Sequence, residues 1–136
     1  MSLVLDSSVA VALVNRDETT TNIIQIFYRV ARQGAWVPAI WHLEVANSLE
    51  LAVRRGRFQP RLRDSALADL ATLPINIDPE TDRHAWGATL QLAVRHRLTL
   101  YDAAFLELAQ RRRRPLATLD RELRAAAEAE GVPVLG

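Results

Sequence analysis

Four acidic residues, Asp6, Glu44, Asp102 and Asp120, stand where a cation site could be assembled from distant parts of the chain. Asp6 follows the short apolar run Leu3-Val4-Leu5, and Asp120 follows a second short run, Leu116-Ala117-Thr118. If both runs are strands of a parallel sheet, the two acids share one rim, where the ligands of α/β sheets gather. Glu44 and Asp102 fall near the starts of two helices, which could bring them to the same crevice. Carboxylates gathered in this way repel one another and retain protons unless a cation neutralises them. An all-oxygen donor set suits hard ions such as Mg²⁺ or Mn²⁺. Such an ion lowers the pKa of a bound water and neutralises charge on a phosphate, which is the chemistry of phosphodiester hydrolysis.

Each acid also has a local structural explanation. Asp6 and Asp120 are good N-caps for the helices they precede. Thr99 and Asp102 fit a capping box, and Glu44 complements the positive end of its helix. The sequence leaves both explanations open for every one of the four.

The elements that must position them follow from apolar periodicity. Leu3–Leu5 reads as a short buried parallel strand, and Ala35–Val37, Ile75–Ile77, Leu116–Thr118 and Val132–Leu135 as further short strands. Helices are expected at Ser7–Val14, Asp17–Arg32, Ala39–Arg55, Pro60–Thr72, Pro79–Arg97, Tyr101–Arg113 and Arg121–Glu130. Strands alternating with helices predict an α/β fold, a three-layer α/β/α sandwich around a short, mostly parallel sheet. No repeat or Gly/Ser linker divides the 136 residues, so one domain over 1–136 is the simplest organisation.

The acids lie in motifs that occur in a fixed order. These are Leu3-Val4-Leu5-Asp6-Ser7-Ser8-Val9, His42-Leu43-Glu44-Val45-Ala46-Asn47, Leu98-Thr99-Leu100-Tyr101-Asp102-Ala103-Ala104-Phe105 and Leu116-Ala117-Thr118-Leu119-Asp120. The ordered set resembles the PIN-domain family, in particular the VapC-type toxins of bacterial type II toxin–antitoxin modules, over essentially the whole chain. The resemblance implies a PIN-like fold and a Mg²⁺-dependent endoribonuclease, with Mn²⁺ a plausible substitute. On that basis Asp6, Glu44, Asp102 and Asp120 are the expected metal ligands, directly or through water. Ser8, Asn47 and Thr118 are expected to orient ligands or water, although Asn47 could equally serve the fold. The resemblance further implies a cognate antitoxin, received near the early helices, and a homodimer. A PIN-like DNA nuclease and a non-catalytic PIN-fold binding module are the competing readings.

Composition narrows the field. There is no cysteine, which excludes disulfides and thiolate metal sites. All 17 basic residues are arginine, so lysine-dependent P-loop and Schiff-base chemistry is excluded. No run approaches a membrane span and no signal peptide is evident, which predicts a cytoplasmic protein with no membrane partner. Arg54, Arg55 and Arg57 close the glutamate helix and are candidate RNA contacts. The run Arg111–Arg114 reads either as a solvated helix end or as a phosphate site. The three histidines, His42, His84 and His96, show no metal-ligand spacing, and Trp36, Trp41 and Trp86 are expected in the core or an interface.

Overall fold

The computed structural model describes residues 1–15 and 18–136. Five short strands form one sheet: β1 (Leu3–Leu5), β2 (Ala35–Val37), β3 (Ile75–Ile77), β4 (Leu116–Ala117) and β5 (Val134–Leu135). Their order is β3-β2-β1-β4-β5, and every pairing is parallel. The central strand β1 pairs Val4 with Trp36 on one side and with Leu116 on the other. Leu3, Val4 and Leu5 are all fully buried, which explains an unbroken apolar run: helices cover both faces.

The first half of the chain supplies α1 (Ser7–Val14), α2 (Thr21–Gln33), α3 (Trp41–Arg54) and α4 (Pro60–Ala71). The second half supplies α5 (Thr81–His84), α6 (Leu90–His96), α7 (Leu100–Arg112) and α8 (Arg121–Ala129). Strand order runs outward from β1 through β2 to β3, then jumps back across to β4 and β5. Right-handed crossovers therefore place α1–α4 on one face and α5–α8 on the other. The packing agrees, since α1 meets α2, α3 and α4, whereas α7 meets α6, α8 and strands β1, β2 and β4. This is the α/β/α sandwich expected from the alternation of elements.

Helix α7 is buried from Ala103 to Ala109, as a helix lying across the middle of a sheet must be. Its one buried acid, Glu107, accepts two hydrogen bonds from Arg111, and Arg111 also forks onto Asp78 at 2.6 and 3.1 Å. Arg112 stacks over Trp36 at 3.5 Å, and Arg114 donates to the Ser2 hydroxyl. The arginine run is thus neither a solvated end nor a phosphate site in the main. Arg111 and Arg112 turn inward to neutralise the buried carboxylate of Asp78, and of the four only Arg113 is exposed.

Several boundaries differ from the sequence reading. Asp17, the expected start of the second helix, lies outside the described residues; the described helix begins at Thr21, where the Thr20 hydroxyl caps the Ile23 N–H. The helix expected over Pro79–Arg97 is interrupted by a π-helical turn at Ala85–Thr89, with Gly87 at φ −110°, ψ −108°, outside the helical region. Of the three tryptophans, Trp41 is buried, Trp36 is half-buried beneath Arg112, and Trp86 is 91% exposed. Trp86 is therefore not a core residue. Among the described residues no helix is long and apolar enough to cross a membrane.

Candidate metal centre

The strand order reverses between β1 and β4, and a crevice opens at that point beyond their carboxyl ends. Asp6 leaves β1 there and is 3% exposed. It occupies the N-cap position of α1, yet its side chain makes no capping bond. Instead, Oδ2 accepts from the Ser8 hydroxyl at 2.6 Å and from the Thr118 hydroxyl at 2.8 Å. Thr118 is itself fully buried, and its hydroxyl accepts from the Asp120 N–H at 3.0 Å. The Ser8 hydroxyl accepts from the Leu119 N–H. Two hydroxyls therefore stitch the ends of β1 and β4 together and fix the Asp6 carboxylate.

Asp120 caps α8, with Oδ1 accepting from the Leu123 N–H at 2.9 Å. Asp102 sits in the first turn of α7, where its N–H donates to the Thr99 hydroxyl. Glu44 sits in the first turn of α3. Asp6, Asp102 and Asp120 line a depression of about 350 Å³, together with Ser8, Ser48 and Glu18.

Electrostatics tie in Glu44. Burial pushes its carboxyl up to about 7, helped by the negative charges of Asp6 and then Asp102. Burial likewise pushes Asp102 up to about 6, with Asp6 and Asp120 adding to the rise, against a small opposing effect of the Thr99 hydroxyl. Asp6 is raised by burial against the lowering effect of its hydroxyl partners. Glu44 thus feels Asp6 and Asp102 as like charge, Asp102 feels Asp6 and Asp120, and Asp6 feels Asp120. Among the described residues none of the four takes part in an ion pair, and Glu44 Oε1 is buried without a hydrogen-bond partner. A buried carboxylate oxygen without a partner is costly, which is the condition a bound cation relieves.

The residues present fit a hard divalent ion by donor chemistry and by this unmet charge. Among the described residues no group of three or more His, Asp or Glu is placed so that it could hold a metal ion with the side chains as they stand. Three of the acids share the depression and Glu44 is linked to them through charge, without forming a coordination sphere.

A family model described as PIN domain matches residues 3–129. The chain belongs to the PIN-domain family. Members of that family are generally nucleases and typically use divalent metal ions. Among solved structures, the PIN domain here is similar to the crystal structure of PAE2754 from Pyrobaculum aerophilum. The two share 25% identity over 98% of this chain and 90% of that one, with a TM-score of 0.70. Comparison with curated proteins returned no match.

Two residues of the crevice were missed by the sequence reading. Ser48 lines it and lies four residues after Glu44, one helical turn on. Asn47, three residues after Glu44, is exposed and does not line the depression. Glu18 contributes a fifth acid from a turn, a position with no periodicity to betray it. Arg55 and Arg57 project from the exposed turn between α3 and α4, where Gly56 adopts φ 73°, while Arg54 is engaged by Glu50 at 2.9 Å.

Proposed function

We propose that this PIN domain is a divalent-metal-dependent endoribonuclease, with Mg²⁺ the natural ion and Mn²⁺ a substitute. The observation that carries the reading is the group of carboxylates at the switch-point crevice: burial, with like charge added, raises Asp6, Glu44 and Asp102, and among the described residues none of the four acids has an ion-pair partner. Asp6, Glu44, Asp102 and Asp120 would hold the ion, directly or through water. When bound, the ion would supply an activated water and neutralise charge on the scissile phosphate. Ser8 and Thr118 hold the Asp6 carboxylate in one orientation, as hydrogen-bonded partners of metal ligands do. Arg55 and Arg57, exposed and without an ion-pair partner among the described residues, are the cations of the α3–α4 turn that we assign to the RNA backbone.

The finer reading is a VapC-type toxin with a cognate antitoxin. It rests on the four ordered motifs and on the partly exposed apolar side chains of α2, Ile24 at 43% and Tyr28 at 66%, which leave a surface for a partner near the early helices. Expression of the wild-type chain should arrest growth, and expression of Asp6→Ala should not. For the enzyme itself, cleavage of labelled RNA should require Mg²⁺ or Mn²⁺ and stop in EDTA. Cleavage that persists in excess EDTA contradicts the metal-dependent reading.

A further inference from the structure

In a parallel sheet a helix that leads into the next strand ends at the amino rim, opposite the rim that carries the acid crevice. Helix α2 leads into β2 in this way and α7 into β4. Arg32 lies in the last turn of α2, and Arg113 ends α7. Met1 and Ser2 enter β1 at the same rim. Arg29 Nε donates to the Met1 carbonyl at 3.1 Å, and Arg114 Nε to the Ser2 hydroxyl at 3.1 Å. Met1 also lines both the depression that holds Arg29 and Arg32 and the one that holds Arg113 and Arg114. The fold thus gathers four arginines at this rim.

Their charge is unanswered. Among the described residues none of the four has an ion-pair partner. No acid lines the first depression, and the second holds only Glu130, which Arg95, His96 and Gln110 already engage. A guanidinium has five N–H donors, so the single bonds of Arg29 and Arg114 leave most of their donors for a ligand. The net charge of +1 therefore hides a separation, with acids beyond the carboxyl end of β1 and arginines at its amino end.

A cation at a helix C-terminus complements the helix dipole, which accounts for Arg32 and Arg113 singly. It does not account for Tyr28. By their spacing Tyr28, Arg29 and Arg32 share one side of α2, and all three line the first depression. The Tyr28 side chain is 66% exposed. An exposed ring among arginines is the pairing that binds unpaired nucleic acid: the cations track phosphates and a base stacks on the ring. An acidic peptide would use the arginines but has no need of the ring.

We infer that the amino rim is a second RNA-binding site, remote from the crevice, in which Arg29, Arg32, Arg113 and Arg114 hold phosphates and Tyr28 stacks on an unpaired base. The choice of RNA rests on the nuclease reading, whereas the test needs no cleavage. Tyr28 also belongs to the α2 surface offered above to a protein partner, so a partner seated there competes with RNA.

Fluorescence anisotropy of a labelled single-stranded RNA of about 16 nucleotides, titrated with the full chain in EDTA at several salt concentrations, tests it. The wild-type chain should bind with a Kd of roughly 1–100 µM near physiological salt. Arg32→Gln combined with Arg113→Asn should weaken binding at least about tenfold. It should also flatten the slope of log affinity against log salt by about 1.4, the effect of two phosphate contacts at about 0.7 each. Asparagine tolerates the left-handed backbone of position 113 (φ 54°). Tyr28→Ala should weaken binding about fivefold or more at an unchanged salt slope. All three substitutions replace exposed side chains, and circular dichroism should show both variants folded. Absence of wild-type binding overturns the proposal, and leaves the nuclease reading standing if RNA is still cleaved with Mg²⁺. Unchanged affinity in the arginine variant overturns it too. A loss with the arginines but none with Tyr28→Ala, together with equal binding of poly-glutamate, marks an acidic protein as the partner and overturns it as well.

Discussion

Removing the Arg111 side chain should destabilise the fold far more than removing its neighbour Arg113. Arg111 is 19% exposed and bonds two nearly buried carboxylates, Asp78 at 1% and Glu107 at 6%. In Arg111→Met, Asp78 keeps the Glu80 backbone hydrogen bond and long contacts to Arg112 at 3.4 Å and Thr81 at 3.3 Å, and the Glu107 carboxylate loses its two bonds from Arg111. Breaking a buried pair in this way costs about 3–5 kcal/mol, because charge is left unanswered in a poor solvent. That is a large share of the roughly 5–15 kcal/mol that holds a domain together. With a urea m-value of about 2 kcal/mol/M, the unfolding midpoint should fall by about 2 M. Urea titration followed by circular dichroism measures it. The pH dependence follows from Asp78. Burial alone would raise its carboxyl, but the Arg111 hydrogen bonds and charge, with help from the Glu80 backbone, hold it below the ordinary value. A depressed folded pKa gives stability that is present above the unfolded value and lost as pH falls through the folded one. The penalty in Arg111→Met should therefore be largest near neutrality and shrink below about pH 4. A loss under about 1 kcal/mol at pH 7 would refute the buried-network account.

Three further outcomes follow from the crevice. In EDTA, thermal stability should fall between pH 5 and pH 8, because Glu44 and Asp102 have folded pKa values raised to about 7 and about 6, so the folded state holds protons that the unfolded state has already released. Mg²⁺ should flatten that slope, and thermal scans at both pH values that show the same slope with and without Mg²⁺ contradict binding of the ion by these acids. Asp102→Asn should raise metal-free stability at pH 8 by about 1 kcal/mol, a figure discounted for partial exposure, while RNA cleavage drops at least about a hundredfold. Equal losses of stability and activity would instead mark Asp102 as a structural cap. Thr118→Val should cost about 1–3 kcal/mol in urea unfolding, since the Asp120 N–H loses its acceptor and Asp6 loses a donor.

Leu3–Leu5 is legible because a strand buried on both faces leaves a continuous apolar run, and Ala35–Val37 is apolar throughout. Ile75–Ile77 matches the expected strand although it is an edge strand with Asn76 in the middle and Ile77 52% exposed. The π turn was not legible, because Gly87 within a helical pattern signals a break only weakly. The arginine run was misread because sequence shows charge but not the acid that answers it: Asp78 is 33 residues from Arg111. In the crevice, the four acids stood out by motif, yet which were simple caps depended on hydrogen bonds that only the fold reveals. Asp120 does cap its helix while lining the crevice, whereas Asp6 makes no cap bond and turns to Ser8 and Thr118. Trp86, expected in the core or an interface, is 91% exposed, because the break at Gly87 is not visible in the apolar spacing.

The account turns on one claim, that the coupled carboxylates form a metal-dependent centre for RNA cleavage. Rates of labelled-RNA cleavage by the wild-type chain and by Asp6→Asn, each with Mg²⁺ at pH 8, test it most directly. The account predicts cleavage by the wild type and a loss of at least about a hundredfold in the variant, with the unfolding midpoint of the variant unchanged or higher. Equal cleavage by the two proteins would contradict it.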